Sequence, residues 1–178
     1  MSIPTNKTVS LNPQFLSLTY GAIVAQLVND LESTQKVNEV LKSFGYNVGI
    51  RLIDEFLAKS EKPPATNFKA LITAFCGAGF AMFFGEAATL EDCSGEDNCF
   101  YASISNGKNP LIEFVMLPPE LDDLDFNIFY CGLIIGAMEM IGYSCDVEVI
   151  EDPLHGADKT VLKISLKEFI QEVYSNIQ

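Results

Sequence analysis

Few residues in this chain are of a type that does chemistry, and they are scattered. Cysteines stand at 76, 93, 99, 131 and 145, and His155 is the only histidine. Cys93 and Cys99 bracket the stretch CSGEDNC. A zinc site needs a second pair or a histidine at ligand spacing. Neither occurs, so no metal is expected, and the two read as thiols flanking a hairpin. His155 stands in a Pro/Gly turn with Asp152 and Asp158 near in sequence, which is the setting of an exposed loop residue. Cys76, Cys131 and Cys145 sit in apolar runs and read as small core residues. Carboxylate pairs such as Asp54-Glu55 and Asp122-Asp123 abound in an acidic chain and identify nothing. The glycines of CGAGFAMFFG lack a preceding strand and the dinucleotide spacing. There is no Walker loop and no G-x-S-x-G elbow. The residues alone predict a binding or interaction domain, not an enzyme.

The whole chain sets the frame for these residues. Its 178 residues suit one domain with a real core. Apolar residues make up 48 % and charged residues 20 %, a globular composition. The net charge of −13, from 24 acids and 11 bases, argues against nucleic acid, whose phosphates need a basic stripe. It also disfavours electrostatic docking on anionic lipid. An odd cysteine count with no secretory signal suggests reduced cytosolic thiols. MSIPTNKTVSLNP has no apolar h-region, no glycine follows Met1, and YSNIQ is no prenylation box.

Residues 1–12 read as a flexible arm and 13–178 as a single domain. Asn12-Pro13 reads as a helix start, with the helix running to about Glu32. It carries two apolar stripes, Phe15, Leu18, Ala22, Ala25 and Val28, then Leu16, Tyr20, Ile23, Leu27 and Leu31. A second helix, about Thr34 to Lys59, also has two: Val37, Leu41, Phe44, Val48 and Leu52, then Tyr46, Ile50, Ile53 and Leu57. Two stripes mean burial on two sides, one against the domain's own core and one against a partner. Gly45 and Gly49 share a face and let another backbone approach; Arg51 and Glu55 are an i,i+4 pair.

The stretch FKALITAFCGAGFAMFFG, residues 68–85, is too short for a membrane span, which needs about 20 apolar residues. Thr66 or Asn67 is a suitable N-cap and Gly85 a C-cap, so it reads as a helix surrounded by protein. NCFYASIS and NPLIEFVM flank Asn106-Gly107 and read as a hairpin. An almost uncharged helix follows, about Phe126 to Ile141, with Gly132 and Gly136 again four apart. YSCDVEVIE and KTVLKISL read as two further strands, and residues 167–177 as a closing helix. The fold class is α+β with an antiparallel sheet of about four strands.

Four stretches together resemble the Bet3 family, small core subunits of the TRAPP vesicle-tethering complex: FLSLTYGAIVAQL, FGYNVGIRLIDEFLAKS, NPLIEFVMLP and FYCGLIIGAMEMI. The resemblance implies an α/β-plait, with helices packed on one face of a twisted antiparallel sheet. It implies a non-catalytic subunit that forms homodimers, or heterodimers with paralogous subunits, through the first two helices. Tyr20, Ile23, Leu27, Tyr46, Ile50 and Ile53 are the interface residues this suggests. It further implies cytoplasmic work at the cis-Golgi and the ER–Golgi interface, within an assembly that promotes nucleotide exchange on a Rab1/Ypt1-type GTPase. Membrane contact would be peripheral and indirect.

Members of the family also carry an acyl chain in a buried tunnel, in several cases joined to a cysteine just before the third helix. An ungapped count places that position at Ala65, which cannot form a thioester. The greasy wall persists in Phe68, Ile72, Phe75, Cys76, Gly79, Phe80 and Phe83. No cofactor is required. Either a fatty acid held without a covalent bond or the phenylalanine rings themselves fill that space. LIIGAME also lacks the arginine that related sequences often carry between these glycines. The alternative function is a stand-alone binder of hydrophobic small ligands; haem has only His155 as an axial candidate.

Overall fold

The computed structural model describes residues 12–60 and 67–170. The expected N-terminal arm, Ala65, and the end of the chain lie outside them. Helix α1 (Pro13–Asp30) starts where Asn12 Oδ1 accepts the Gln14 N–H, and α2 (Thr34–Lys59) starts at Ser33, whose hydroxyl accepts the Lys36 N–H. Asn67 caps the next helix by accepting from Ala70 N at 2.8 Å. That helix is α3 (Phe68–Ala74), one π turn (Phe75–Gly79) and α4 (Phe80–Phe84), closed by Gly85 at φ 86°. Helix α5 spans Ile128–Met140.

Strands β1 (Thr89–Asp92), β2 (Cys99–Ser105), β3 (Tyr143–Glu151) and β4 (Lys159–Phe169) form one antiparallel sheet in the order β1-β2-β4-β3. Phe100, Ala102, Leu162, Ile164, Val147 and Cys145 lie on its buried face, under α3 and α5. The other face carries polar residues, including Lys163 ion-paired to Glu96. Helix α5 sits between sheet and α2, and nine of its thirteen residues are buried, so it shows no amphipathic stripe.

Helices α2 and α5 meet backbone to backbone. A Cβ added to Gly45 or Gly49 would overlap the carbonyl of Phe129 or Leu133. Reciprocally, one on Gly132 or Gly136 would overlap the carbonyl of Lys42 or Tyr46. The two glycine pairs, each spaced by four, therefore form one interlocked crossing.

The structure corrects the sequence reading of the secondary structure and local pairing in five places. NPLIEFVM is not a strand: Asn109 Oδ1 accepts the Leu111 N–H in a local turn, Pro110 has no N–H to give a ladder, and Leu111 and Ile112 are buried side by side. The hairpin partner of β2 is β1, joined through CSGEDN, while Asn106-Gly107 makes a turn with Gly107 at φ 73°. The segment 68–84 is not enclosed on every side, since Thr73, Ala78, Ala81 and Met82 are exposed. Residues 167–169 extend β4 instead of starting a helix, because they pair with β3 at Tyr143 and Ser144. Glu55 pairs with Lys59 and not with Arg51. No helix among the described residues is long and apolar enough to cross a membrane.

Candidate functional site

Two apolar features lie on the α1–α2 side of the molecule. One is a cavity of about 270 Å³, lined by Leu16, Tyr20, Phe44, Leu52, Phe83 and Phe129 among others. The other is an open apolar face on α1, lined by Phe15, Leu18, Ala22 and Ile23, where Phe15 is 63 % and Leu18 68 % exposed; on α2, Val40 and Phe44 are exposed as well. Exposed large side chains grouped on one helix face mark a surface that gains by being covered.

The suggested interface residues divide across this surface. Ile23 is exposed, and Leu27, Tyr46 and Ile50 are half-buried. Tyr20 and Ile53 are instead fully taken up by the chain's own core, at 2 % and 1 % exposure, which corrects their assignment. The Tyr20 hydroxyl donates to the Phe126 carbonyl at 2.8 Å, and its ring packs against Phe126 and Phe129, so it ties α1 to the segment entering α5. Tyr46 is turned toward Glu139 of α5, whose hydrogen bond, with some burial, raises the phenol above its usual range.

The suggested tunnel residues divide too. Phe68, Ile72, Phe75, Cys76, Gly79 and Phe80 are buried, and Phe83 is half-buried. Their rings meet one another and their neighbours: Phe75 packs on Phe56 and Phe80, Phe80 on Phe84 and Tyr130, and Phe68 on Phe100 and Tyr143. Of the seven, Phe83 alone lines the 270 Å³ cavity. Aromatic side chains thus occupy much of the space assigned to a tunnel. Cys76 is fully buried, and loss of hydration pushes its thiol well above the ordinary range, as it does for Cys131. Cys145 is pushed up to about 12, chiefly by burial and then by Asp146. These three are inert core thiols at neutral pH.

Sequence reasoning missed a buried polar cluster that fixes the 106–128 segment. Asn109 Nδ2 donates to Asn127 Oδ1 at 2.7 Å and to Thr160 Oγ1 at 3.0 Å, while its Oδ1 accepts from Leu111 N and Tyr130 OH. The Asn-Pro following Asn-Gly was its one signal. Beside it, Asp125 Oδ1 accepts the N–H groups of Asn127 and Ile128 at the start of α5. Burial, followed by the nearby Asp152, pushes Asp125 up to about 6. His155 is exposed in its turn, as expected, and it has partners there: its Nε2 lies 2.7 Å from the Asp122 carbonyl and its Nδ1 3.4 Å from Asp152. Burial lowers its affinity for a proton, but the Asp122 carbonyl and the Asp152 carboxylate outweigh that, and the net shift is upward. Among the described residues no three His, Cys, Asp or Glu side chains are grouped to hold a metal ion.

Cys93 and Cys99 are not separate thiols. They are joined in a disulfide across the β1–β2 turn. This corrects the expectation that all five cysteines are reduced.

The architecture is thus a glycine-locked helix pair over a four-stranded antiparallel sheet, with an apolar face and an apolar pocket on the α1–α2 side. The family model described as "Transport protein particle (TRAPP) component" matches residues 16–166, and the chain belongs to that family. Within it the chain is of the Bet3 type. It is 37 % identical to the transport protein particle subunit bet3 of Schizosaccharomyces pombe, over 93 % of this chain and 90 % of that one. It is 35 % identical to trafficking protein particle complex subunit BET3 of Saccharomyces cerevisiae, over 94 % and 86 %. A crystal structure of trafficking protein particle complex subunit 3 from Naegleria fowleri, covalently bound to palmitic acid, superposes with a TM-score of 0.84 at 33 % identity, covering 90 % of this chain and 98 % of that one. An H-NOX protein from S. oneidensis shares the fold alone, with a TM-score of 0.57 at 14 % identity, covering 96 % and 83 %.

Proposed function

We propose that this chain is a structural, non-catalytic subunit of a TRAPP vesicle-tethering assembly in ER-to-Golgi transport. The observation that carries this reading is the apolar face of α1, in which Phe15, Leu18 and Ile23 stand exposed together, with Val40 and Phe44 also exposed on α2. Burying such a face gives about 25 cal/mol for each Å² removed from water, which favours a partner presenting the matching helix pair. A second copy or a paralogous subunit meets that need. The assembly acts in the cytoplasm as a peripheral component at the cis-Golgi and the ER–Golgi interface, and promotes nucleotide exchange on a Rab1/Ypt1-type GTPase. This chain contributes surface to that exchange and no covalent chemistry. Capture of the tagged protein from its own cells, followed by mass spectrometry, tests the reading: other TRAPP subunits should come down in near-equal amounts, and their absence would refute it.

A second reading rests on the 270 Å³ apolar cavity. Ligand pockets span about 300–1,000 Å³, so this one takes part of an acyl chain as it stands and all of one only if Phe83 and its neighbours turn aside. With Ala65 at the family's acylation position, the fatty acid is held without a covalent bond. This binding is compatible with the subunit role.

A further inference from the structure

The tip of the β1–β2 hairpin is built as a closure. Cys93 and Cys99 face each other across the turn with Cα atoms 5.3 Å apart, and the Cys93 N–H donates to the Cys99 carbonyl at 2.9 Å. The five residues between them hold the chain reversal with Gly95 at φ 84° and Asn98 at φ 54°. Two contacts fasten the tip to β4: Lys163 to Glu96 at 3.0 Å, and Leu166 N–H to the Asn98 carbonyl at 3.1 Å. Strand β1 is paired on one side only, to β2. It is four residues long, largely exposed, and at the edge of the sheet. Lys69 of α3 reaches its end through Asp92, at 2.7 Å, but an exposed ion pair adds little.

The geometry points to a reversible redox site at Cys93 and Cys99 that fastens or frees the edge strand β1, with a low-molecular-weight disulfide of the glutathione type as the oxidant. Both sulfur-bearing residues are largely covered, Cys93 at 6 % and Cys99 at 2 % exposure, but they line a polar surface pocket of about 470 Å³ through which a small hydrophilic reagent approaches Cys93, the less covered of the two. In the reduced protein the Cys93 thiolate attacks one sulfur of the reagent, releases half of it as a thiolate and keeps the other half as a mixed disulfide. The Cys99 thiolate then attacks Cys93 Sγ and releases the second half. The two electrons of the new protein disulfide's sulfurs pass to the reagent, and the two protons leave with its two thiols. Excess thiol reverses both steps. The Ser165 hydroxyl, 3.6 Å from Cys99 Sγ, is placed to donate to that sulfur when it becomes the leaving thiolate. Cys76, Cys131 and Cys145 belong to the hydrophobic core, which Cys93 and Cys99 do not, and they do not compete.

The test uses the full chain equilibrated in buffers of varied reduced-to-oxidised glutathione ratio, quenched by acid, denatured and alkylated, with the intact mass read. The uptake should fall from five alkyl groups to three in a single transition, and a Cys93→Ser/Cys99→Ser double variant should take three at every ratio. Hydrogen exchange should then be about ten-fold slower at Thr89–Asp92 in the oxidised protein than in the reduced one. Five alkyl groups at every ratio would overturn the redox site. A disulfide that forms without slowing β1 would overturn the fastening. The reduced wild type serves as the comparison should the double variant fold poorly.

Discussion

Gly132 of α5 lies directly against the main-chain carbonyl of Lys42 in α2, with no room between them for even a methyl group. Gly45 makes the reciprocal contact with the Phe129 carbonyl. Because the obstructing atoms are backbone, neither helix can yield by turning a side chain. Gly132→Ala should therefore destabilise the fold by about 3 kcal/mol or more, measured by urea unfolding. Gly77→Ala meets nothing within 4 Å and should be neutral, or stabilising by up to about 1 kcal/mol. Equal effects at the two positions would contradict the close crossing.

Asp125 gives the fold a pH dependence of definite sign. Its carboxyl is raised from 3.8 to about 6, so the folded state holds the proton more tightly than the unfolded chain does. Stability from this group is full below about pH 4, declines as pH rises through about 6, and is level above that. His155 is also raised, so its contribution is present below its unfolded value of 6.5 and is lost as pH rises further. Asp125→Asn keeps an oxygen for the Asn127 and Ile128 N–H groups. It should match the wild type near pH 4 and exceed it by roughly 1–2 kcal/mol at pH 7.5. Thermal melts across this range check it; a constant difference would contradict the account.

The pocket reading predicts that the native protein has an intact mass equal to its sequence, while organic extraction releases a fatty acid. Ala65→Cys, incubated with palmitoyl-coenzyme A, should gain one palmitoyl group by mass spectrometry, released by hydroxylamine. A wild-type protein that gains the same adduct would place the acylation elsewhere.

The long helices were legible because their signals are local. Asn12, Ser33 and Asn67 cap where side chain and spacing say they should. The paired glycines announced a close crossing, though not which helix lay across it. The two-stripe pattern could not say which stripe faces inward, so Tyr20 and Ile53 went to the wrong side; only packing against Phe126, Phe129 and the core decides that. Asn106-Gly107 is a true turn, but the hairpin it suggested fails because Asn109 turns the chain again four residues after β2 ends at Ser105. The short strand TLED has no apolar alternation, and its place comes from pairing with β2. In the candidate site, the greasy residues of 68–84 were visible as a group. Their mutual ring packing, and the cavity's position on the other side of Phe83, depend on contacts from Phe56, Tyr130 and α1 that no local pattern carries.

Assembly through α1 and α2 is the central claim, and sedimentation velocity tests it most directly. The full-length protein, alone or co-expressed with a paralogous subunit, should sediment at twice the mass of a single chain or as a one-to-one heterodimer. Leu18→Asp/Phe44→Asp should sediment at 19.6 kDa with an unchanged circular dichroism spectrum. A wild type that stays single in both settings at micromolar concentration, or a double variant that still pairs, would contradict it.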